Sequence, residues 1–402
     1  MTPFDERFNA TSLRALLALA VVFIMLATTG WTAVRPHKGA GDPRAAALSS
    51  WLHGSVAGHK LPSPAVGADS IAYFFTTLTA GQTRQLANRY PLVVGNLDGA
   101  PVSLRYLANR VALAQTRVSE IARSHSSLLT PAGRMDADKR ARRYASLLSD
   151  GRQILAFDPS GAGRAAEVFG DLASADRVAL VVPGVDTDIS TFERTAKSYA
   201  APVGMARALY TAERTQDPSA KTAVIAWANY TTPSGVGLDA STGELAEQGA
   251  VRLNSLVDAL PAGARVSLFC HSYGSVLCGV AAPDLPQGQI SDITVFGSPG
   301  MRVNHAEQLH TSANVWAARD PSDWIGSVPH LEIAGLGHGA DPVSESFGAR
   351  VIGTEGALGH PGYFAPGAES LANFTDIALG HYGSVQCAPG REDCASGLHQ
   401  QS

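Results

Sequence analysis

A serine stands at an abrupt change in the pattern of the chain. Ser272 follows the apolar run Val266–Cys270, and small residues that favour a closely packed helix continue from it to Pro283. A tight strand-to-helix turn holds a serine hydroxyl above a sheet edge, where it can act as a nucleophile. The next backbone N–H, that of Tyr273, would lie at a helix N-terminus and could stabilise an oxyanion. The pattern predicts these two roles; an ordinary strand-to-helix turn is the alternative.

A serine nucleophile needs a base, and the base needs a group that orients it. Asp323, on a loop after the apolar run Val315–Ala318, is predicted to be the acid. Asp320 is the alternative acid, and its other role would be to cap an Asp-Pro turn. His360, in a loop before the last helical pattern, is predicted to be the base. His338 is the alternative histidine, although it could simply hold its own loop by hydrogen bonding.

A glycine-containing turn directly follows the apolar run Val178–Val182. The amide of Val185 in this turn is predicted to be the second oxyanion donor. A strand exit that needs glycine for its dihedral angles is the alternative. His271, next to Ser272, is predicted to be structural because its side chain points elsewhere as the strand turns.

A second motif, Gly161–Ala166, resembles the Gly-x-Gly-x-x-Ala fingerprint of dinucleotide-binding proteins. It makes a nicotinamide- or flavin-dependent oxidoreductase a minor alternative. Against it, Asp158 and Pro159 interrupt the turn, and no acidic residue ends the next strand. The cysteines are scattered and no histidine pair has metal-ligand spacing, so neither a metal site nor a cofactor is predicted.

The elements that would position these residues are short aliphatic runs separated by helical patterns. The predicted strands are Ile154–Phe157, Val178–Val182, Ala223–Ala228, Val266–Cys270, Ile293–Phe296, Val315–Ala318 and Arg350–Ile352. This alternation predicts an α/β fold with a mostly parallel sheet and helices on both faces. Functional groups collect at the carboxyl ends of the strands in such a sheet.

Helical patterns precede and follow this region. One is predicted over Ile71–Tyr90 with Thr79 as a cap, and another over Ser370–Leu379. Between them, the spacing of three and four from Leu104 to Ile121 predicts a long helix with one apolar face. This face is predicted to pack on the main body; a lid over the site is the alternative.

Composition limits the class of protein. The chain has 402 residues, of which 45% are hydrophobic and 16% charged, as expected of a globular protein. The net charge of −4 and the lack of a basic tract argue against nucleic acid as a partner. The predicted layout is an N-terminal signal or anchor (1–35), a linker (36–70), a helical annex (71–150), an α/β core (151–385) and a tail (386–402).

The N-terminal region contains an uncharged run, Ala15–Val34. About twenty helical residues just span a bilayer core of about 30 Å. Since no clean cleavage site ends the run, a retained membrane anchor is favoured over a cleaved signal, and a buried core helix is the remaining alternative. The sequence therefore predicts a single-pass membrane protein with an extracytoplasmic C-terminal domain, or a secreted protein.

Four cysteines bear on the compartment. Cys387 and Cys394 lie in a polar tail, where a disulfide is predicted and would fit an exported domain. Cys270 and Cys278 flank the turn at Ser272. Two small buried thiols are predicted there, with a disulfide between them as the alternative.

With these residues identified, the chain resembles the α/β-hydrolases, and among them a largely uncharacterised bacterial branch. The segments that carry the resemblance are Val93–Gly99, Val182–Gly184, Cys270–Ser275, Gly297–Gly300 and Gly359–Phe364. The part from Val266 to Asp323 is also similar to class-3-type lipases. Cys270 departs from the pattern, since it replaces the first glycine of Gly-x-Ser-x-Gly.

The resemblance implies an α/β-hydrolase fold and a triad of Ser272, Asp323 and His360 that hydrolyses small-molecule or lipid esters without a cofactor. A membrane-anchored or secreted serine hydrolase, esterase- or lipase-like, is therefore predicted. A catalytically inactive hydrolase fold that serves as an envelope binding or scaffold protein is the alternative from a different class.

Overall fold

The central element is a sheet whose strands lie between Gln153 and Val351. The computed structural model describes residues 42–333 and 335–398, so the uncharged run Ala15–Val34 lies outside the described residues. The strands of the sheet are β1 (Gln153–Asp158), β2 (Arg164–Gly170), β3 (Arg177–Val182), β4 (Thr222–Ala228), β5 (Arg265–His271), β6 (Ile290–Phe296), β7 (Asn314–Ala318) and β8 (Arg350–Val351). Two short hairpins, Ser55–Val56 with His59–Lys60 and Glu332–Ile333 with Leu336–Gly337, lie outside it.

The strand order is β8-β7-β6-β5-β3-β4-β2-β1. Strands β8 to β4 in this order are parallel to their neighbours, whereas β2 is antiparallel to both β4 and β1. The carboxyl ends of the parallel strands therefore lie at one edge, called here the carboxyl edge. The prediction of a mostly parallel sheet is confirmed.

Helices precede this sheet and alternate with its later strands. They are α1 (Pro43–Leu52), α2 (Ala68–Thr76), α3 (Ala80–Arg89), α4 (Val102–Ser124), α5 (Pro131–Leu147), α6 (Pro202–Gln216), α7 (Glu244–Asp258), α8 (Tyr273–Ala281) and α9 (Glu369–Leu379), with short helical turns at Pro91–Val94 and Leu238–Ser241. Single 3₁₀ turns occur at Pro64–Val66, Ser198–Ala200, Ala282–Asp284, Ala306–Leu309, Trp324–Ser327, Glu345–Phe347 and Tyr382–Ser384.

Alternate residues of one strand enter different hydrophobic clusters, which is the period-two pattern of a sheet buried on both faces. In β3, Leu180 packs in the cluster that contains α7 and α8. Its neighbour Val181 packs in the cluster that contains parts of α5, α6 and α9. The prediction of helices on both faces is confirmed.

The Gly161–Gly163 segment forms a hairpin turn between β1 and β2. A dinucleotide fingerprint requires a turn from a strand into a helix, whose N-terminus receives the pyrophosphate. Here a strand, Arg164–Gly170, follows the glycines instead. The dinucleotide interpretation is therefore wrong, and this hairpin lies at the carboxyl edge because β2 runs antiparallel to β4.

Helix α4 forms where it is predicted, but its buried face is different. Val118 is 67% exposed, whereas the polar residues Arg105 and Asn109 are buried. The Asn109 amide donates to the carbonyl of Ile154 at 2.9 Å, and Arg105 Nε donates to that of Leu155 at 3.2 Å. The helix covers the outer side of edge strand β1, whose carbonyl groups need polar partners.

Two further differences concern the N-terminal helices. Part of the segment predicted to be a linker forms α1, because Asp42 caps it, Pro43 begins it and the indole of Trp51 becomes fully buried. The helix predicted over Ile71–Tyr90 is two helices, with Thr79 and Gln82 forming a capping box at the start of the second. The predicted domain boundaries stay predictions.

Within residues 42–333 and 335–398, no helix combines the length and the apolar character needed to cross a membrane.

Candidate active site

Ser272 is the single residue between β5 and α8. Its backbone has φ 53° and ψ −126°, which residues other than glycine rarely adopt. A Cβ at Gly184 would lie 2.5 Å from Ser272 Cβ, and a Cβ at Gly274 would lie 2.5 Å from the carbonyl oxygen of Val182. Glycine at these two positions is what allows β3, β5 and α8 to meet at the turn. Backbone strain of this kind, about 1–3 kcal/mol, concentrates at functional sites.

The Ser272 hydroxyl is available for reaction. The residue is only 5% exposed, and its Oγ forms no hydrogen bond with the described part of the chain. The oxygen nevertheless retains contact with solvent. A substrate carbonyl could reach it without first displacing a protein partner.

His360 and Asp323 form a hydrogen-bonded pair. His360 Nδ1 lies 2.9 Å from Asp323 Oδ1 and 3.0 Å from Oδ2. The carboxylate is fully buried, while the imidazole side chain is 15% exposed. Since an ionised carboxylate only accepts, Nδ1 carries the proton and Nε2 is left as the basic nitrogen. His360 Nε2 keeps solvent contact and has no protein partner among the described residues.

Asp323 stays ionised despite its burial. Burial by itself raises the pKa of this carboxyl, but hydrogen bonds from His360, the Ile325 amide and the Tyr363 hydroxyl outweigh burial, so the pKa lies below its ordinary value. The Tyr363 hydroxyl donates to Oδ2 at 2.7 Å and the Ile325 amide donates to Oδ1 at 2.9 Å. The ionised carboxylate is therefore a stable acceptor for the proton on His360 Nδ1.

Glycine at position 297, directly after β6, makes room for this pair. Its φ is 54°, and a Cβ there would lie 3.0 Å from both Asp323 Oδ2 and His360 Nδ1. A side chain at this position would therefore separate the imidazole and the carboxylate or displace the loop.

Two backbone amides near Ser272 have no carbonyl partner. Tyr273 is the first residue of α8, where the N–H has no acceptor within the helix. In the turn after β3, the amides of Asp186 and Thr187 donate to Pro233 O and Thr232 Oγ1. The Val185 amide before them makes no hydrogen bond with described residues, and its neighbour Gly184 contacts the Ser272 side chain.

Comparison with known proteins agrees with this architecture. The sequence model of a family described as alpha/beta hydrolase matches residues 158–333. The chain belongs to the α/β-hydrolase family. An uncharacterised protein of Mycobacterium tuberculosis is 29% identical over 379 residues, which are 80% of this chain and 57% of the relative. An uncharacterised protein of Mycobacterium bovis is 33% identical over 183 residues, 43% of this chain and 67% of the relative. The chain thus spans little more than half the length of the first relative.

Solved structures of α/β-hydrolases are also similar in part. An α/β serine hydrolase without a lid from Xanthomonas campestris covers 60% of this chain and 98% of its own, with 12% identity and a TM-score of 0.33. The esterase domain of a Rhodothermus marinus protein covers 40% of this chain and 72% of its own, with 17% identity and a TM-score of 0.24.

The two alternative site residues of this α/β-hydrolase have other partners. Asp320 Oδ1 accepts from the amides of Ser322 and Gly359, both at 3.0 Å, and so joins the two loops that carry Asp323 and His360. His338 is 5% exposed, and its Nε2 lies 2.6 Å from the carbonyl of Ala240, to which it donates. The structure brings together Asp323 and His360, and no hydrogen bond joins Asp320 to His338.

His271 contacts the loop of His360, a role that the sequence did not indicate. Its Nε2 donates to the His360 carbonyl at 2.9 Å, and the two rings lie 4.6 Å apart. The ring also stacks on Phe296. Burial, with a smaller effect of His360, lowers the pKa of His271 to about 3. His271 is therefore neutral at the pH values where a histidine base works, and nothing in local sequence indicates a contact across 89 positions.

Both cysteine pairs form disulfides. The bond between Cys387 and Cys394 confirms the prediction for the tail. The preference for two thiols at Cys270 and Cys278 is wrong, since they are joined with Cα atoms 6.5 Å apart. Both are fully buried where β5 and α8 nearly touch. A covalent bond lets two sulfurs lie closer than non-bonded contact allows, which accommodates Cys270 at a position that favours glycine.

No group of three or more histidine, cysteine or carboxylate side chains in residues 42–333 and 335–398 is arranged to hold a metal ion.

Proposed function

We propose that this protein is a serine hydrolase that cleaves carboxylic esters of small molecules or lipids through an acyl-enzyme. The observation that carries the proposal is the His360–Asp323 pair, with a buried ionised carboxylate and a free Nε2, at the same sheet edge as Ser272. The membership in the α/β-hydrolase family supports it, because this fold holds a nucleophilic serine at such a turn.

In the proposed mechanism, His360 Nε2 takes the proton of Ser272 as Oγ attacks the ester carbonyl carbon. Asp323 holds the imidazole in the tautomer with Nδ1 protonated and stabilises the imidazolium that forms. The amides of Tyr273 and Val185 would receive the oxyanion, and one such donor is worth about a hundred- to a thousandfold in rate. The imidazolium then protonates the leaving alcohol, and water attacks the acyl-enzyme with His360 again as base.

The test is hydrolysis of p-nitrophenyl esters of graded chain length by the full chain. Ser272→Ala should lower kcat at least about a thousandfold without loss of folding. Ser119→Ala, on the exposed side of α4, is the matched control and should match the wild type. A folded wild type that hydrolyses no ester above the rate of Ser272→Ala would contradict the proposal.

A catalytically inactive scaffold remains the second candidate because no hydrogen bond joins Ser272 Oγ to His360 among the described contacts. Such bonds are often long in unliganded enzymes and tighten on substrate binding. The scaffold predicts that Ser272→Ala and His360→Ala leave the phenotype of the intact gene unchanged. Serine hydrolysis predicts that both variants lose it.

We also propose that the domain is exported, either anchored by the uncharged run Ala15–Val34 or secreted. The two disulfides support this proposal, since disulfides persist in oxidising compartments. Protease added to intact cells should digest the C-terminal domain of an anchored protein. Protection of the domain until the cells are lysed would contradict export.

A further inference from the structure

The carboxyl edge carries a group of large apolar side chains that are exposed to solvent. They lie on loops after β4, β7 and β8, and are Val236, Leu238, Trp324, Leu331, Ile333 and Leu358. Their exposed fractions run from 38% for Leu331 to 79% for Leu358. We call these six residues the apolar rim. Exposed apolar residues that collect at one edge of a domain, rather than being scattered singly, mark interaction surfaces.

Contacts between the loops place the rim around the candidate active site. The Trp324 ring lies 4.9 Å from the His360 ring. The loop that carries Val236 is joined to the turn of the candidate oxyanion donor, because the Gly235 amide donates to Asp186 Oδ1 at 2.7 Å. The hydrogen bond from His338 to the Ala240 carbonyl joins the loops of Leu238 and Ile333.

We propose that the apolar rim inserts into the surface of a phospholipid bilayer, so that Ser272 faces acyl esters held in that bilayer. A protein partner or a second copy seated on the rim would cover Ser272 and His360. A bilayer instead presents ester groups to them. The docking does not depend on the proposed ester hydrolysis, whereas the choice of lipid esters as substrate rests on it.

The position of the first described residue supports this occupant. Asp42 accepts a hydrogen bond from Ser160, which lies in the β1–β2 turn at the carboxyl edge. The uncharged run ends at Val34, eight residues before Asp42. Eight residues span at most about 29 Å. The chain that follows the predicted anchor therefore enters the described domain at the carboxyl edge.

The charges of the rim indicate which lipid surface it fits. Glu332 lies between Leu331 and Ile333 and pairs with Arg302 at 3.0 Å, while Asp239, next to Leu238, is exposed. The rim thus has no excess of positive charge that would select anionic lipids. Insertion of apolar side chains accounts for docking on a neutral, zwitterionic surface, and added salt should not weaken it.

The test places a fluorescent dye on the rim of the full chain. Every natural cysteine is in a disulfide, so Leu358→Cys provides one free thiol for an environment-sensitive dye. The matched control is Ala262→Cys, exposed in the turn between α7 and β5 at the opposite edge of the sheet. Both proteins are mixed with phosphatidylcholine vesicles whose acyl chains carry a nitroxide quencher.

The dye at position 358 should shift to shorter wavelength and lose at least half of its emission, and the dye at position 262 should change little. Equal quenching at both positions, or none at position 358, would overturn the docking. A concentration-dependent shift at position 358 without vesicles would indicate a second copy and would also overturn it. Repeating the measurement with Ser272→Ala should give the same quenching, because docking requires no catalysis.

A second measurement links docking to substrate. Ile333→Asp should lower the ratio of vesicle-borne to soluble ester hydrolysis at least tenfold, whereas Val251→Asp, exposed on α7, should leave this ratio unchanged. An unchanged ratio in Ile333→Asp would contradict the choice of substrate. Vesicle quenching by a protein that hydrolyses no ester would overturn the proposed function alone, and ester hydrolysis without quenching would overturn the docking alone.

Discussion

Two buried aspartates with similar surroundings lie toward opposite edges of the sheet. Asp323 is near the carboxyl edge, and Asp292 lies near the amino end of β6. Each carboxylate accepts a hydrogen bond from a tyrosine, Asp323 from Tyr363 at 2.7 Å and Asp292 from Tyr382 at 2.9 Å. Their pKa values nevertheless shift in opposite directions, downward for Asp323 and upward for Asp292.

The partners explain the difference. Asp292 is fully buried, and burial is the main cause of its raised pKa. Its donors are neutral side chains: Ser267, Asn314, Trp316 and Tyr382. Asp323 has a histidine that can become positively charged and a backbone amide at the start of a 3₁₀ turn. Burial alone therefore does not make a carboxylate suitable for catalysis, whereas a partner that can gain positive charge does.

The largest expected effect is that of Asp323→Asn on catalysis. If Asp323 orients His360, kcat should fall about ten-thousandfold, because an amide favours the wrong tautomer of the imidazole. The thermal midpoint should change little. Asp292→Asn is the matched control and should keep nearly full activity per folded molecule. Equal losses of kcat in the two variants would remove the distinction between the two carboxylates.

His271 belongs to the Asp323 side of this comparison, because it donates a hydrogen bond to the loop that carries His360. His271→Phe should lower kcat about tenfold or more, since the His360 loop loses a hydrogen bond worth about 1 kcal/mol or more. His271→Gln retains an N–H donor and should recover most of kcat. The measurement is steady-state kcat of the wild type and of both variants, each corrected for the folded fraction. Failure of Gln to recover activity would indicate that ring packing on Phe296 matters more than the hydrogen bond.

The two tyrosines give a matched pair of smaller effects. Tyr363→Phe and Tyr382→Phe each remove one hydroxyl from a buried carboxylate and should cost about 1–3 kcal/mol of unfolding free energy. Only Tyr363→Phe should also lower kcat, about tenfold or less. Urea unfolding and steady-state kinetics separate the two outcomes. Loss of kcat per folded molecule in Tyr382→Phe would contradict a purely structural role of the Asp292 group.

The smallest effect concerns the pH dependence of stability. A carboxyl whose pKa is raised on folding lowers the stability of the protein as the pH rises through that raised value. A carboxyl whose pKa is lowered on folding adds stability, and this stability is lost as the pH falls below about 4. The urea midpoint of the wild type should therefore fall relative to that of Asp292→Asn as the pH rises from about 4 to 7. A difference that does not vary over this range would mean that Asp292 titrates normally.

Much of the fold could be predicted because the strands are short apolar runs with a clear period. The strand-to-helix turn at Ser272 and the order serine, acid, histidine along the chain could also be predicted. The roles of these residues stay proposals. Strand β2 was missed because Gly161 and Gly163 resemble a phosphate-binding turn. Polar residues on the buried face of α4 were missed because hydrophobic periodicity carries no information about the carbonyl groups of an edge strand.

Contacts between distant segments could not be predicted. The approach of His271 to His360 depends on how a loop after β8 crosses the end of β5. The disulfide of Cys270 and Cys278 depends on the separation of β5 and α8, which no local pattern gives. The hydrogen bonds of Asp292 join it to Ser267 of β5, Asn314 of β7 and Tyr382. In the sequence, each of these four residues looks like an ordinary polar residue.

The most direct test of the account is covalent labelling of the folded full chain with a fluorophosphonate. We expect one adduct, located by mass spectrometry on the peptide that contains Ser272, and none in Ser272→Ala. His360→Ala should react much more slowly, because the hydroxyl loses its base. A folded wild-type protein that forms no adduct, or forms it on another serine, would contradict the assignment of Ser272 as the nucleophile.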